Sequence, residues 1–192
     1  MPIRFIDFFA GAGGLSEGFI KAGYTPIAHV EMKKDACNTL KTRAAFHYLR
    51  EQNRLDIYEN YLRNKRERTD GAELWRQVPA EVTNRVIQET IGENTMAPLL
   101  NRLDALAGGE PVDIIIGGPP CQAYSIAGRA KMGKDVKSDP RNYLYRYYLQ
   151  FIGHFSPKMF VFENVMGITT AQTVDMVKPF DDLRRIADEM GY

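Results

Sequence analysis

Two groups of residues in this 192-residue sequence have the types and spacing that chemistry needs. In the first, Gly117-Gly118-Pro119-Pro120-Cys121-Gln122-Ala123-Tyr124-Ser125 directly follows the apolar run Val112 to Ile116. Two glycines and two prolines fix a backbone that a structural loop seldom needs, and strand ends are where open α/β sheets place ligands. Cys121 is therefore a nucleophile candidate. A free thiol has a pKa of about 8.5, so it needs a cation, a helix dipole or a substrate that becomes electrophilic on binding. The run Met159-Phe160-Val161-Phe162 ends in Glu163, followed by Asn164 and Val165. Neighbouring strand ends in a parallel sheet lie about 5 Å apart, so thiol and carboxyl can face one pocket. A carboxyl between Phe162 and a closed ligand is expected to have a raised pKa and to donate a proton. Singly, each has a structural alternative: a packed Cys121, a helix-capping Glu163.

The second group is a glycine turn. Phe9-Ala10-Gly11-Ala12-Gly13-Gly14-Leu15-Ser16 follows a strand pattern and opens a helix, a setting in which the backbone passes close beneath a nucleotide-like ligand. A dinucleotide fingerprint needs Gly where Ser16 stands, which argues against a pyrophosphate. Glu31, seventeen residues beyond Gly14, ends the next strand, where a carboxylate accepts from both hydroxyls of a ribose. The thioether of Met32 suits an adenine face, with core filling as its alternative. Asp104, with Ala105, precedes the Val112 run and is placed to accept from an adenine amino group; an ordinary helix-end carboxylate is its alternative.

These residues need a scaffold. Ile3 to Phe9, Thr25 to Val30, Val112 to Ile116 and Met159 to Phe162 read as strands, and near-continuous apolarity predicts both faces covered. Helical segments, Leu15 to Lys21, Lys33 to Leu49 and Asn142 to His154, alternate with them, which predicts a doubly wound, mostly parallel α/β domain over residues 1–192. A last helix starts near Pro179 and turns Phe180, Leu183, Ile186, Ala187 and Met190 inward, with Gly191 beyond its end. A further strand is expected after it. Residues 50–100 are too long for a simple crossover and read as a helical insertion, either a solvated cap or a partner-binding surface. Within it, Arg50 to Asp70 carries six cations and five anions.

Composition narrows the classes. With 44% hydrophobic residues, 25 Lys+Arg against 24 Asp+Glu and two cysteines, the chain is neither disordered nor disulfide-stapled. No apolar run approaches the roughly 18 residues that span a bilayer, and no signal-peptide pattern precedes the first strand, so a cytoplasmic setting is expected. His29, His47 and His154 lack metal-ligating spacing, and no metal is expected.

Taken together the motifs resemble those of the DNA (cytosine-5) methyltransferases. Phe9 to Gly14 is similar to that family's cofactor motif, Gly118-Pro119-Pro120-Cys121-Gln122-Ala123-Tyr124-Ser125 to its nucleophile motif, and Phe162-Glu163-Asn164-Val165 to its acid motif. The resemblance implies a Rossmann-like methyltransferase domain, S-adenosyl-L-methionine as cofactor, and a cytosine flipped from double-stranded DNA as target. It assigns Phe9, Ala10, Gly11, Gly13, Gly14, Leu15, Glu31, Met32, Asp104, Ala105, Gly118 and Leu144 to the cofactor, Cys121 and Glu163 to catalysis, and Pro120, Gln122, Ser125, Arg129 and Asn164 to the substrate. Ile126 to Arg146, with six cations against two anions, would close over DNA, Gly128 and Gly133 allowing the movement; a solvated loop is the alternative.

The family's later arginine motif, target-recognition domain and C-terminal pocket helix have no counterpart before Tyr192. A C-terminal remainder or a second subunit is therefore expected as partner. Bacterial restriction-modification is the expected setting. A tRNA methyltransferase of the same family and a non-catalytic partner subunit are the competing readings.

Overall fold

The computed structural model describes residues 2–64, 71–120, 140–173 and 175–192. Five strands form one sheet: β1 (Arg4–Phe8), β2 (Thr25–Glu31), β3 (Val86–Gln88), β4 (Ile114–Gly117) and β5 (Met159–Phe162). Their spatial order is β3-β2-β1-β4-β5, and every pairing is parallel. The order reverses at β1, so β1, β2 and β4 meet at the switch point where open sheets bind ligands. The doubly wound α/β expectation holds.

Side chains alternate across the sheet, and both faces are covered. From β1, Ile6 and Phe8 enter the larger core with Leu99 and Leu103 of α6 (Glu93–Ala107), Tyr148, Leu149 and Phe151 of α7 (Leu144–Phe155), and Leu183 of α8 (Pro179–Glu189). Phe8 stacks on Phe151 with ring centroids 3.9 Å apart, directly under the switch point. Phe5, on the opposite face, packs with Ile114, Ile116 and with Leu15 and Phe19 of α1 (Gly14–Lys21). Burying each such aromatic contributes about 1.5–3 kcal/mol, which is why the near-continuous apolar runs become central strands.

The region read as a helical insertion contains a strand. Val86 and Ile87 are β-branched and fully covered, Val86 against Cys37 and Leu40 of α2 (Lys34–Glu51) and Ile87 in the larger core, and β3 extends the sheet beside β2. Three residues are too few to display a period of two. Before β3, α3 (Leu55–Arg63), α4 (Ala72–Trp75) and α5 (Ala80–Asn84) gather Leu74, Val78 and Val82 into a satellite cluster on Ala45 and Leu49 of α2. Among the described residues no helix is long and apolar enough to cross a membrane.

Candidate active site

At the carboxyl end of β1 the chain turns sharply. Phe9, Gly11 and Gly13 all adopt positive φ, at 56°, 55° and 85°, and Gly13 caps α1. The turn is anchored to β2: the Ala10 amide donates to the Val30 carbonyl at 3.1 Å, and the Gly11 amide donates to Glu31 Oε2 at 2.8 Å. The other carboxylate oxygen of Glu31 accepts from the Lys33 amide, also at 2.8 Å. Both oxygens are thereby oriented while keeping lone pairs for a further donor. The buried Cys37 thiol donates to the Glu31 carbonyl, holding the strand end from below. Burial raises the Cys37 pKa above the ordinary thiol value, and the neighbouring Glu31 adds to that, so Cys37 is an inert donor. Met32 stands 54% exposed beside Glu31 and is not core filling.

The other half of the site lies across β1. Gly117 ends β4 at φ 129°, and a Cβ there would overlap the Phe8 carbonyl oxygen; a Cβ at Gly118 would overlap the carbonyl oxygen of Glu163. Only glycine lets the three strand ends close this tightly. The pairing of Gly117 with Phe162 sets Glu163 beside the turn, and the Glu163 amide donates to the Gly117 carbonyl at 2.9 Å. Asn164 Nδ2 donates to the Pro119 carbonyl at 3.1 Å. Beneath, the Tyr148 hydroxyl donates to the Val161 carbonyl at 2.9 Å and lies 3.2 Å from that of Ile115, bridging β4 and β5. Burial drives its pKa far above the ordinary phenol value, so it remains a donor at all working pH. Among the described residues, Glu163 is exposed.

The structure thus brings Phe9, Ala10, Gly11, Gly13, Gly14, Leu15, Glu31, Met32, Gly118, Pro120, Glu163 and Asn164 to one edge of the sheet, with Leu144 opening α7 at the same end. Cys121, Gln122, Ser125 and Arg129 lie outside the described residues, as does the segment from Ile126 to Asp139. Arg146, grouped with that segment by charge, donates instead to Asp182, which also accepts from the Tyr145 hydroxyl.

Asp104 and Ala105 do not join the site. They sit near the end of α6, which runs back toward the amino end of the sheet, where Ala107 accepts from the Arg4 guanidinium at 2.9 Å. Asp104 pairs there with His154 at 3.0 Å, and Ala105 is exposed. The expectation failed because β3 went unseen: α6 carries the chain from the ligand edge back to the amino end of the sheet, so the end of β3, before α6, and not the end of α6, stands at the ligand edge. Its end places Glu89 there, with the Glu89 amide donating to the Glu31 carbonyl at 3.0 Å. The signal was the β-branched pair Val86-Ile87 ahead of an acid.

Comparison with known proteins decides the family. The family model described as C-5 cytosine-specific DNA methylase matches residues 3–71 and 84–192. The chain belongs to the C-5 cytosine-specific DNA methylases. Within that family, it is 41% identical to the type II methyltransferase M.Bpa9945I of Bacillus paralicheniformis over 97% of this chain and 45% of that protein. It is 30% identical to M.AquIA of Picosynechococcus over 88% of this chain and 50% of that one. The chain therefore spans about half the length of these curated relatives, or less. A crystal structure of a prophage-encoded DNA modification methyltransferase (E. coli) has the same fold, with a TM-score of 0.51 at 23% identity over 98% of this chain and 37% of that one. The stretch the family model leaves unmatched, 72–83, coincides with α4 and most of α5, whereas β3 falls within the matched part.

Proposed function

We propose that this chain is the catalytic portion of a DNA (cytosine-5-)-methyltransferase that uses S-adenosyl-L-methionine, in a restriction-modification setting. The observation that carries the reading is the junction of β4 and β5: an acid and the turn leading to a cysteine are joined by backbone contacts at one sheet edge, beside a glycine turn anchored on a carboxylate.

The residues present fit the cofactor. A Cβ at Gly11 would meet nothing within 4 Å, so the turn leaves open room against its backbone, and the Glu31 carboxylate faces the same edge with unused lone pairs. In this reading Glu31 accepts from the ribose hydroxyls, Met32 and Phe9 cover the adenine, Glu89 takes the adenine-edge role first expected of Asp104, and the backbone at Gly11 and Gly13 holds the methionine part. When bound, S-adenosyl-L-methionine supplies an electrophilic methyl group.

The chain's own residues make cytosine able to accept it. Cytosine C6 resists addition until electron density is drawn toward N3, so Glu163 donates a proton or hydrogen bond to N3 while the Cys121 thiolate forms a bond to C6. Addition leaves nucleophilic electron density on C5, where the bound cofactor would supply the methyl group, its carbon–sulfur bond breaking to leave a neutral thioether. A base then removes the C5 proton, and the C5–H electrons restore the ring double bond as the C6–S bond breaks, returning the thiolate. The Pro120 carbonyl reads the exocyclic amine, and the cations between Arg129 and Arg141 meet DNA phosphates. Recognition of a DNA word is assigned to the part of the relatives' length that this chain does not span, whether continuous with it or a separate subunit.

The test is covalent trapping. An enzyme assembled on this chain should form a denaturation-resistant adduct with duplex DNA containing 5-fluorocytosine, and Cys121→Ala should abolish it. Persistent trapping in the variant removes the nucleophile assignment, and trapping on tRNA in place of DNA removes the substrate.

A further inference from the structure

We propose that Glu17 is a positioning residue for the cofactor: with Arg43 and His47 it clamps α1 to α2, and so fixes the spacing between the glycine turn and Glu31. The inference rests on the methyltransferase reading above and adds a residue which that reading leaves unused. Glu17 lies one turn into α1, and its amide donates to the Gly13 carbonyl at 3.0 Å. Its Oε2 accepts from Arg43 Nε at 3.0 Å and stands 2.9 Å from His47 Nε2, while a second guanidinium nitrogen of Arg43 pairs with the same oxygen. Burial works against a charge on Glu17, yet the bonds from Arg43 and His47 outweigh it and hold the carboxyl below its ordinary range. An ionised carboxylate can only accept, so His47 Nε2 carries the hydrogen between them.

Packing explains why such a clamp is needed. The apolar side chains of α1, Leu15, Phe19 and Ile20, turn to Phe5, Ile114 and Ile116 on β1 and β4. Those of α2 turn elsewhere, Cys37 and Leu40 to Val86, and Ala45 and Leu49 to α4 and α5. Among the described residues no apolar cluster joins the two helices, and a cavity of about 530 Å³, lined by Ile20, His29, Ala44 and the Glu17 group, lies between them over β2. Facing walls across a gap gain no dispersion from each other. At the ligand edge the helices do meet, where a Cβ on Gly13 would come within 2.8 Å of the Leu40 side chain. One turn further along α1, Glu17 spans the gap. Each helix also carries one wall of the site: α1 starts at the turn assigned to the methionine part, and α2 starts two residues after Met32 and holds the Glu31 carbonyl through Cys37. Any change in their spacing therefore bears on the 2.8 Å bond between the Gly11 amide and Glu31.

Affinity separates this role from plain scaffolding. In an enzyme assembled on this chain, Glu17→Ala should weaken S-adenosyl-L-methionine binding, read by calorimetry, by about tenfold, while the single-turnover rate at saturating cofactor keeps its wild-type value. Glu17→Gln, equally long and still an acceptor for Arg43, should recover most of the loss. Adding Arg43→Ala to Glu17→Ala should cost no further affinity, because the interaction is already gone. A clamp that serves folding alone would lower the melting temperature of Glu17→Ala yet leave the affinity of the folded enzyme unchanged, and that result overturns the proposal. So does a reduced saturated rate with affinity retained. Should Glu17→Ala not fold, Arg43→Ala, whose side chain is 39% exposed, carries the same test with an expected loss of about threefold; unchanged affinity there is equally fatal. Wild-type enzyme that binds no S-adenosyl-L-methionine refutes the methyltransferase reading itself; wild type that binds it no better than the Glu17 and Arg43 variants refutes only this inference.

Discussion

The two halves of the sheet's ligand edge are built on different principles. Where β1 meets β2, the groups assigned to the cofactor are already satisfied and oriented: Glu31 is held by two backbone amides and is only 9% exposed, and the turn above it is bonded to β2. Where β4 meets β5, backbone contacts fix the strand ends, but the Glu163 side chain stands in solvent. A binding half can be preorganised before any ligand arrives, since a ribose and an adenine need only donors, acceptors and a surface. In the proposed reading the reacting half must admit a base out of a duplex and then surround it, which an acid buried beforehand would not allow. The two halves share β1, and Phe8 stacked on Phe151 supports both.

Mutation should separate them. The largest effect is expected at the reacting half: Glu163→Gln should slow single-turnover methyl transfer by about a hundredfold or more, the range for loss of a positioned general acid, while calorimetry shows cofactor affinity unchanged. Equal losses in both measurements would mean that the halves are one unit. At the binding half, Glu31→Gln removes the charge behind two hydrogen bonds and should weaken S-adenosyl-L-methionine binding by about tenfold, with the rate restored at saturating cofactor. A fall in the saturated rate would place Glu31 in the chemistry.

A smaller effect, common to both halves, is expected at the opposite sheet edge. The Asp113 carboxyl is held below the ordinary carboxylate range, first by its hydrogen bond from Lys158 at 2.7 Å and then by the Arg4 amide, clipping β1 to the start of β5. A depressed folded pKa contributes stability that is present above the unfolded value of about 3.9 and lost as pH falls through the lower folded value. Asp113→Asn should therefore cost about 1 kcal/mol at neutral pH, and the gap to wild type in urea denaturation should narrow toward zero as pH drops below that range. A gap independent of pH would deny the ion pair its role. The smallest effect is expected for Asp104→Ala, which should leave cofactor affinity untouched, because its carboxylate pairs with His154 away from the ligand edge. Any clear loss of affinity would restore the adenine contact first expected there.

The pattern of what could be read without coordinates follows from range. The glycine turn, the apolar runs of β1, β4 and β5, and the acid and thiol at strand ends are local signals, each contained in fewer than ten neighbouring residues. Even the adjacency of Glu163 to the Gly118 turn follows from two successive strands of one parallel sheet. Asp104 was misjudged because its position depends on which strand α6 follows, and that strand, β3, is three residues long and owes its place to packing on α2 and α6.

By itself, then, the order of residues determined the family and the parallel sheet, because strand periodicity, turn chemistry and motif spacing are properties of neighbours in the chain. Tertiary structure alone decided which acids stand at the ligand edge, that Glu31 is oriented by amides from Gly11 and Lys33, and that the Asn164 amide grips the Pro119 carbonyl. Those are contacts between segments up to 45 residues apart. They exist only once burial of the core has set the strands in order and register, which no local pattern encodes.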